Sequence, residues 1–94
     1  MNKSISVLLV EDNLAIAKQV VGFLEGLKWQ VDFAATGQQG IDLALSQQVD
    51  VIILDLNLPD MDGLDVCQHI KQHATRVTPV LMLTARDAFT DKAK

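Results

Sequence analysis

The sequence is poor in cysteine, aromatic side chains and positive charge. Its single cysteine, Cys67, allows no disulfide within the chain, which fits a reducing compartment. Aromatic residues make up only 4% of the 94 residues, too few for platforms that stack nucleic-acid bases. There are 8 basic residues against 12 acidic ones, giving a net charge of −4. Because nothing here would neutralise a phosphate backbone, this chain is not expected to bind nucleic acid.

Long apolar runs are also missing. None approaches the ~20 residues that a helix needs to cross a bilayer. The first run ends at Val10 and is followed at once by Glu11 and Asp12, which is unlike a signal peptide. A hydrophobic share of 49% with 21% charged residues is typical of a globular domain. We therefore expect one cytoplasmic domain over residues 1–94, with no membrane segment.

Four short apolar runs predict β-strands, at residues 5–10, 29–34, 51–54 and 80–83. The third run is the most continuous and is expected to be central, whereas the alternating second run is expected at an edge. Pro79 opens the fourth strand, where its missing N–H is tolerated, and Thr84 ends it.

Helical periodicity fills the intervals between these strands. The first helix has an apolar face made of Leu14, Ala17, Val20, Val21, Leu24 and Leu27. Lys28 suits its last turn, and the second helix begins with a capping box from Thr36 to Gln39. The third helix is expected to face inward through Leu64, Cys67 and Ile70, with Ala74 near its end. Asp87 is a candidate cap for a fourth helix.

Strands that alternate with helices predict a parallel α/β sheet with right-handed crossovers. In such sheets ligands bind beyond the carboxyl ends of the strands. There the sequence has Glu11 and Asp12 after the first strand, Asp55 after the third and Thr84 after the fourth. If the first and third strands are neighbours, three carboxylates converge in one pocket.

Three converging carboxylates predict a cation site. They repel one another and raise at least one pKa unless a cation joins them. Mg²⁺ is the natural partner, because it prefers a few oxygen ligands and is commonly shared with a phosphate. Asp55 could then act as a nucleophile toward phosphorus, with the Thr84 hydroxyl bonding a phosphoryl oxygen. A single acidic residue after a strand is common because loops are polar. It is much less common by chance for Glu11, Asp12, Asp55 and Thr84 all to fall at strand ends on one side of the sheet.

Three motifs, taken in order, resemble the receiver domain of two-component response regulators. They are LLVEDN at residues 8–13, VIILDLNLPDMDG at 51–63 and PVLMLTAR at 79–86, and the similarity covers essentially the whole chain. The resemblance implies a flavodoxin-like, doubly wound parallel sheet with strand order 2-1-3-4. It also implies a phosphoacceptor signalling module, not a turnover enzyme, that receives its phosphoryl group from a sensor histidine kinase in the presence of Mg²⁺.

The same resemblance implies roles for single residues. Asp55 matches the phosphoacceptor, Asp12 the direct Mg²⁺ ligand, and Glu11 the acidic partner that acts through water. Asn57 matches the position whose backbone carbonyl ligates the metal, and Thr84 the hydroxyl that moves to the phosphoryl group. Three further positions match a small residue beside the acceptor and the shaped loop beneath the site: Ala85, Pro59 and Gly63.

The resemblance departs from the family at the C-terminus. A receiver continues through a fourth helix to a fifth strand, which carries a lysine that contacts the phosphoryl group, and to a fifth helix. This chain stops at Lys94, and neither Lys92 nor Lys94 matches that lysine. We therefore expect a truncated receiver that is phosphorylated more slowly than an intact one. We also expect self-association through the exposed edge of the fourth strand.

Two other functions stay open. A phosphohydrolase of the haloacid-dehalogenase type also uses an aspartate with Mg²⁺, but its motif has a second aspartate where this chain has Asn57 and Thr or Val where it has Pro59. The other is a receiver-like fragment that associates with other chains without phosphotransfer. The stretch at residues 84–87 resembles receivers that precede winged-helix domains, which would place any DNA contact outside this chain.

The remaining polar candidates are expected to be structural. His69 and His73 lie four apart on the third helix, but no Glu follows His69 as in zinc proteases, so a solvated surface is favoured. Cys67 is expected in the core. Asp60 and Asp62 are expected to serve as turn and capping residues rather than as metal ligands.

Overall fold

The computed structural model describes residues 4–83, in which strands and helices alternate along the chain. The elements are β1 (Ser6–Val10), α1 (Leu14–Gly26), β2 (Gln30–Ala34), α2 (Gly37–Ser46), β3 (Val51–Asp55), α3 (Gly63–His73) and β4 (Val80–Leu83). The predictions for Thr84 and Asp87 fall outside the described residues. Within residues 4–83, no helix has both the length and the apolar character needed to cross a membrane.

All four strands run parallel in one sheet, in the order β2-β1-β3-β4. This confirms the predicted order and the flavodoxin-like class. The β1–β3 pair begins with reciprocal hydrogen bonds, because Ser6 N donates to the Asp50 carboxylate at 2.8 Å and Asp50 N donates to Ser6 O at 2.7 Å. It ends with Val10 opposite Leu54. The residues that follow β1 therefore lie beside the end of β3.

The core has two layers, one on each face of the sheet. Alternate residues of β1 point to opposite faces, so Leu8 and Val10 join the layer under α2 and α3, whereas Val7 and Leu9 join the layer under α1. All four are fully buried. This double coverage explains why the central strands are apolar runs rather than alternating patterns.

The buried face of α3 differs from the predicted one. Leu64 is 56% exposed, so its predicted inward position is wrong. The buried stripe is Gly63, Val66, Cys67 and Ile70, which follows the helical spacing from Gly63 rather than from Leu64. Cys67 lies in the core as predicted. On α1, Leu14 and Leu27 at the ends of the predicted face are likewise exposed, and only its middle packs on the sheet.

The C-terminus of α1 closes with a left-handed residue. Trp29 N donates to Leu24 O at 3.2 Å and Lys28 N donates to Glu25 O at 2.9 Å, a pair of bonds that defines the Schellman motif. Lys28 has a φ of 69°, so it follows the helix instead of occupying its last turn as predicted. Glycine is usual at this position because a Cβ is disfavoured there.

Replacing Lys28 by Gly is expected to raise the free energy of unfolding by about 0.5–1 kcal/mol, because the exposed Lys28 carries a Cβ in the left-handed region. Urea unfolding followed by Trp29 fluorescence measures the change. Lys28→Ala, which keeps the Cβ, is the matched control and should show no such gain. Equal stability of the Gly and Ala variants would count against this reading of the cap.

Candidate functional site

Three carboxylates meet at the carboxyl edge of the sheet. Glu11 and Asp12 follow β1, and Asp55 is the last residue of the neighbouring β3. One carboxylate oxygen from each lies within 4.8 Å of the other two. Within residues 4–83, no other group of three His, Cys, Asp or Glu side chains is close enough to hold a metal ion. The convergence inferred from strand adjacency is therefore what the structure shows.

Burial of the three carboxylates is graded. Glu11 is 3% exposed, Asp55 is half-buried, and Asp12 is exposed. The pocket therefore opens to solvent on the side of Asp12.

The buried carboxyl of Glu11 carries the electrostatic cost of the cluster. Burial raises the pKa of Glu11 above its ordinary value of 4.5, and the nearby carboxylates of Asp55 and Asp12 raise it further. The Asn13 backbone N–H, which donates to Glu11 Oε2 at 3.0 Å, acts in the opposite direction and lowers this pKa. The net effect on the pKa of Glu11 is upward, so the hydrogen bond from Asn13 does not compensate for burial and for the neighbouring carboxylates. A bound cation would compensate for them.

The turn between β1 and α1 is held by a helix cap. Asn13 is the N-cap of α1, and its Oδ1 accepts hydrogen bonds from Ala15 N at 3.0 Å and Ile16 N at 3.2 Å. The backbone of Glu11 is fixed on the other side, where its N–H donates to Ala34 O at 3.0 Å. The backbone of Glu11 and Asp12 is therefore held between the end of β2 and the capped start of α1.

The loop from β3 to α3 folds tightly back on itself. Gly63 N donates to Leu56 O at 2.9 Å, and Asn57 forms an isolated antiparallel bridge with Asp62. A Cβ at Gly63 would lie 2.6 Å from Asp55 O, so only glycine permits this approach. The loop keeps Asn57 beside Asp55, whose Oδ1 accepts from Asn57 N at 3.3 Å.

The structure thus brings together four of the five predicted site residues. Glu11, Asp12 and Asp55 share the pocket, and Asn57 lies at its rim on the β3–α3 loop. Thr84, the fifth, lies outside the described residues, as does Ala85. The functional roles of all five stay predictions.

Asp60 has a partner that the sequence did not indicate. Its Oδ1 accepts from Gly37 N at 2.7 Å and its Oδ2 from Gln38 N at 3.0 Å. These two donors lower the pKa of Asp60 below its ordinary value of 3.8. Asp60 is a capping residue, as predicted. The helix that it caps is α2, whose first residues lie 22 to 23 positions earlier in the sequence. No local sequence pattern indicates such a long-range bond. Asp62, in contrast, caps its own helix through Leu64 N at 2.9 Å.

The two histidines of α3 form a surface pair. Their rings stack with centroids 4.6 Å apart, and the Nδ1 of His73 lies 2.9 Å from the carbonyl oxygen of His69. Both residues are exposed. Since one ring nitrogen of His73 is engaged with the backbone, the pair fits the predicted solvated helix surface better than a metal site.

Most of the chain matches a known protein family and its curated members. Residues 7–94 match the family described as the response regulator receiver domain. The chain is 38% identical over 86 residues to response regulator ArlR of Staphylococcus saprophyticus and 40% identical over 86 residues to ArlR of Staphylococcus aureus. Each match covers 92% of this chain but 38% of the relative, so the chain spans about two fifths of the length of these curated relatives.

Solved structures agree with the sequence matches. The receiver domain of the sensor histidine kinase PA1611 from Pseudomonas aeruginosa, described with a magnesium ion coordinated in its active site cleft, aligns with a TM-score of 0.86 at 30% identity. The alignment covers 98% of this chain and 76% of that one. Chemotaxis protein CheY4 of Vibrio cholerae aligns with a TM-score of 0.82 at 32% identity, over 97% of this chain and 77% of that one.

The fold and the site together define a doubly wound α/β domain with an acidic pocket at the carboxyl edge of its sheet. The chain belongs to the response regulator receiver domains, the signalling modules of two-component systems.

Replacing Glu11 by Gln is expected to stabilise the metal-free protein at pH 7. Because its pKa is raised in the folded state, ionising Glu11 disfavours folding, so the parent should lose stability as pH rises from 4.5 through that raised value. The Gln variant should lack this decline. Thermal unfolding in EDTA from about pH 4 to pH 8 measures both curves. Asp12→Asn, which removes an exposed charge, should gain less, and a parent-like decline in Glu11→Gln would contradict the assignment.

Proposed function

We propose that this chain is a phosphoacceptor module that receives a phosphoryl group on Asp55 from a sensor histidine kinase, with Mg²⁺ held in the acidic pocket. The observation that carries the proposal is the convergence of three carboxylate oxygens within 4.8 Å, at the edge where parallel α/β sheets bind ligands. Membership of the receiver family supports it, as does the magnesium ion described in the cleft of the Pseudomonas aeruginosa relative.

The chemistry of the donor set fits Mg²⁺. This ion prefers oxygen ligands and retains water, and the pocket offers carboxylates of graded exposure. In this proposal Asp12 and Asp55 hold the ion directly, Glu11 holds it through water, and the backbone carbonyl of Asn57 completes the protein ligands. When bound, the ion would offset the negative charge of the carboxylates and of an incoming phosphoryl group.

In this proposal Asp55 accepts the phosphoryl group. Its half-buried position at the end of a central strand supports this role, as does the Asn57 N–H that donates to one of its carboxylate oxygens. In the proposed transfer, an Asp55 oxygen forms a bond to phosphorus while the phosphorus–nitrogen bond of a phosphohistidine breaks. The bonding electron pair stays on the imidazole nitrogen, which takes up a proton from solvent. The Thr84 hydroxyl is proposed to hydrogen-bond a phosphoryl oxygen of the product.

The composition supports two further proposals, on cellular location and on DNA binding. We propose that it works in the cytoplasm, where its one cysteine stays reduced. Any contact with DNA is proposed to lie outside this chain, because its net charge of −4 provides no basic surface.

We also propose that two copies associate through β4 and the apolar groove beside it. Within residues 4–83, no strand pairs with the outer edge of β4. Leu81 on that strand is 58% exposed and lines a groove of about 770 Å³ together with Phe23, Leu27 and Trp29. Edge and groove are thus continuous, and an identical edge related by twofold symmetry offers matching backbone donors and acceptors to the edge of β4.

A phosphoryl adduct confined to Asp55 is the expected result when the chain is incubated with Mg²⁺ and a small acyl phosphate. Native mass spectrometry should show one adduct on the parent, and none on Asp55→Ala or in EDTA. Asp65→Ala, which removes an exposed acid from α3, is the matched control and should keep the adduct. An adduct that persists in Asp55→Ala, or a folded parent without one, would refute the proposed acceptor.

Leu81→Arg is expected to convert a self-associating parent into a monomer, because a charge at this position opposes burial of the edge and groove. Sedimentation velocity at micromolar concentrations measures the assembly state. Val77→Arg is the control, since Val77 is 95% exposed and does not line the groove. A monomeric parent, or equal behaviour of the two variants, would overturn the proposed association.

A further inference from the structure

The β3–α3 loop is fastened at its tip to a helix that is distant in sequence. The Asp60 carboxylate accepts from the first two backbone N–H groups of α2, at 2.7 Å from Gly37 N and 3.0 Å from Gln38 N. The next residue supplies an apolar contact at the same place, because Met61 packs so closely on Gly37 that a Cβ there would lie 2.9 Å from its Sδ. The tip therefore rests on α2 through both a polar and an apolar contact.

The same loop contains Asn57, whose backbone carbonyl is the proposed metal ligand. Its two ends are fixed by β3 and by α3, where Asp62 is the N-cap. Between these ends, the bridge from Asn57 to Asp62 joins the rim of the pocket to the residues beside the tip. A shift of the tip away from α2 would therefore pass through Asp62 to Asn57, whose carbonyl is the proposed metal ligand.

We infer that Asp60 is a positioning residue for the metal site: its two bonds to the N-terminus of α2 fix the loop that presents the Asn57 carbonyl. This inference rests on the proposed function. Asp60 does not touch the pocket itself, and its action runs through the backbone of the loop. The N-terminus of α2 favours an anionic partner, since its unpaired N–H groups carry partial positive charge. The helix thus acts as the fixed support, and the loop as the part being held.

Capping of α2 alone does not account for these contacts. Thr36 already caps this helix, accepting from Gln39 N at 3.1 Å, and the Gln39 side chain reaches back to Ala35 N at 3.1 Å. These local bonds stabilise the first turn without contacting the β3–α3 loop. Thr36 and Asp60 therefore serve the same helix end, but only Asp60 links it to the site, which provides a matched control.

The test compares Mg²⁺ binding by the parent chain, Asp60→Ala, Asp60→Asn and Thr36→Ala, using isothermal titration calorimetry. Asp60→Ala is expected to weaken the affinity about tenfold, in the range of changes to groups that orient metal ligands. Asp60→Asn keeps one acceptor oxygen and should fall between Asp60→Ala and the parent. Thr36→Ala should bind Mg²⁺ as the parent does, although removing a cap lowers its melting temperature.

A second readout follows the coupling directly. In the parent, Mg²⁺ should shift the backbone amide resonances of Gly37 and Gln38, because the loop passes the change at the pocket to α2. In Asp60→Ala these Mg²⁺-induced shifts should be lost. A purely stabilising role for Asp60 would lower the melting temperature without changing either the affinity or this response.

Three outcomes would overturn the positioning role of Asp60, and only one of them would also contradict the proposed metal site. Parent-like Mg²⁺ affinity in Asp60→Ala contradicts the positioning role alone. An equal loss in Thr36→Ala reduces Asp60 to a helix cap. A parent chain that binds no Mg²⁺ contradicts the proposed metal site as well, so failure of the inference and failure of the function are distinguishable.

Discussion

The parallel pairing of β1 with β3 is the constraint from which the site follows. It brings Glu11, Asp12 and Asp55 to one edge of the sheet, where their carboxylates repel one another. Two like charges about 4 Å apart interact by roughly 1 kcal/mol in water and roughly 4 kcal/mol near a protein surface. Such a cost is a large part of the stability of a small domain, about 5–15 kcal/mol. The fold therefore holds together a cluster that favours a cation, and burial of Glu11 strengthens that preference.

Short, capped connections keep this cluster from relaxing. Asn13 caps α1 directly after the acidic pair, and Gly63 lets α3 begin against the end of β3. Asp60 adds a connection of another kind, between the loop tip and α2. Each of these residues orients backbone rather than supplying a ligand. The site is thus built from a few charged side chains and from turns that restrict where those side chains can move, which is how preformed metal sites maintain their geometry.

Much of the architecture was predictable from sequence because the central strands are buried on both faces. Short apolar runs located the strands. The acidic residues after them indicated a shared pocket once the first and third strands were taken as neighbours, as the resemblance to receiver domains implied. The surface details were not predictable on the same grounds. Periodicity placed Leu64 inward, but the buried stripe begins at Gly63, a residue that apolar patterns do not count. Nothing local shows that Asp60 bonds to α2, or that Lys28 takes a left-handed conformation where glycine is usual. Long-range bonds and backbone dihedrals of this kind arise from packing.

A crystal structure of the chain grown with Mg²⁺ would show whether a metal ion resolves the repulsion among the three carboxylates. We expect one ion in the pocket, about 2.1 Å from oxygens of Asp12, Asp55 and the Asn57 carbonyl. Glu11 should face the ion through a water molecule. An ion bound elsewhere, or a pocket whose carboxylates stay together without one in saturating Mg²⁺, would contradict the claim that their repulsion is resolved by a metal.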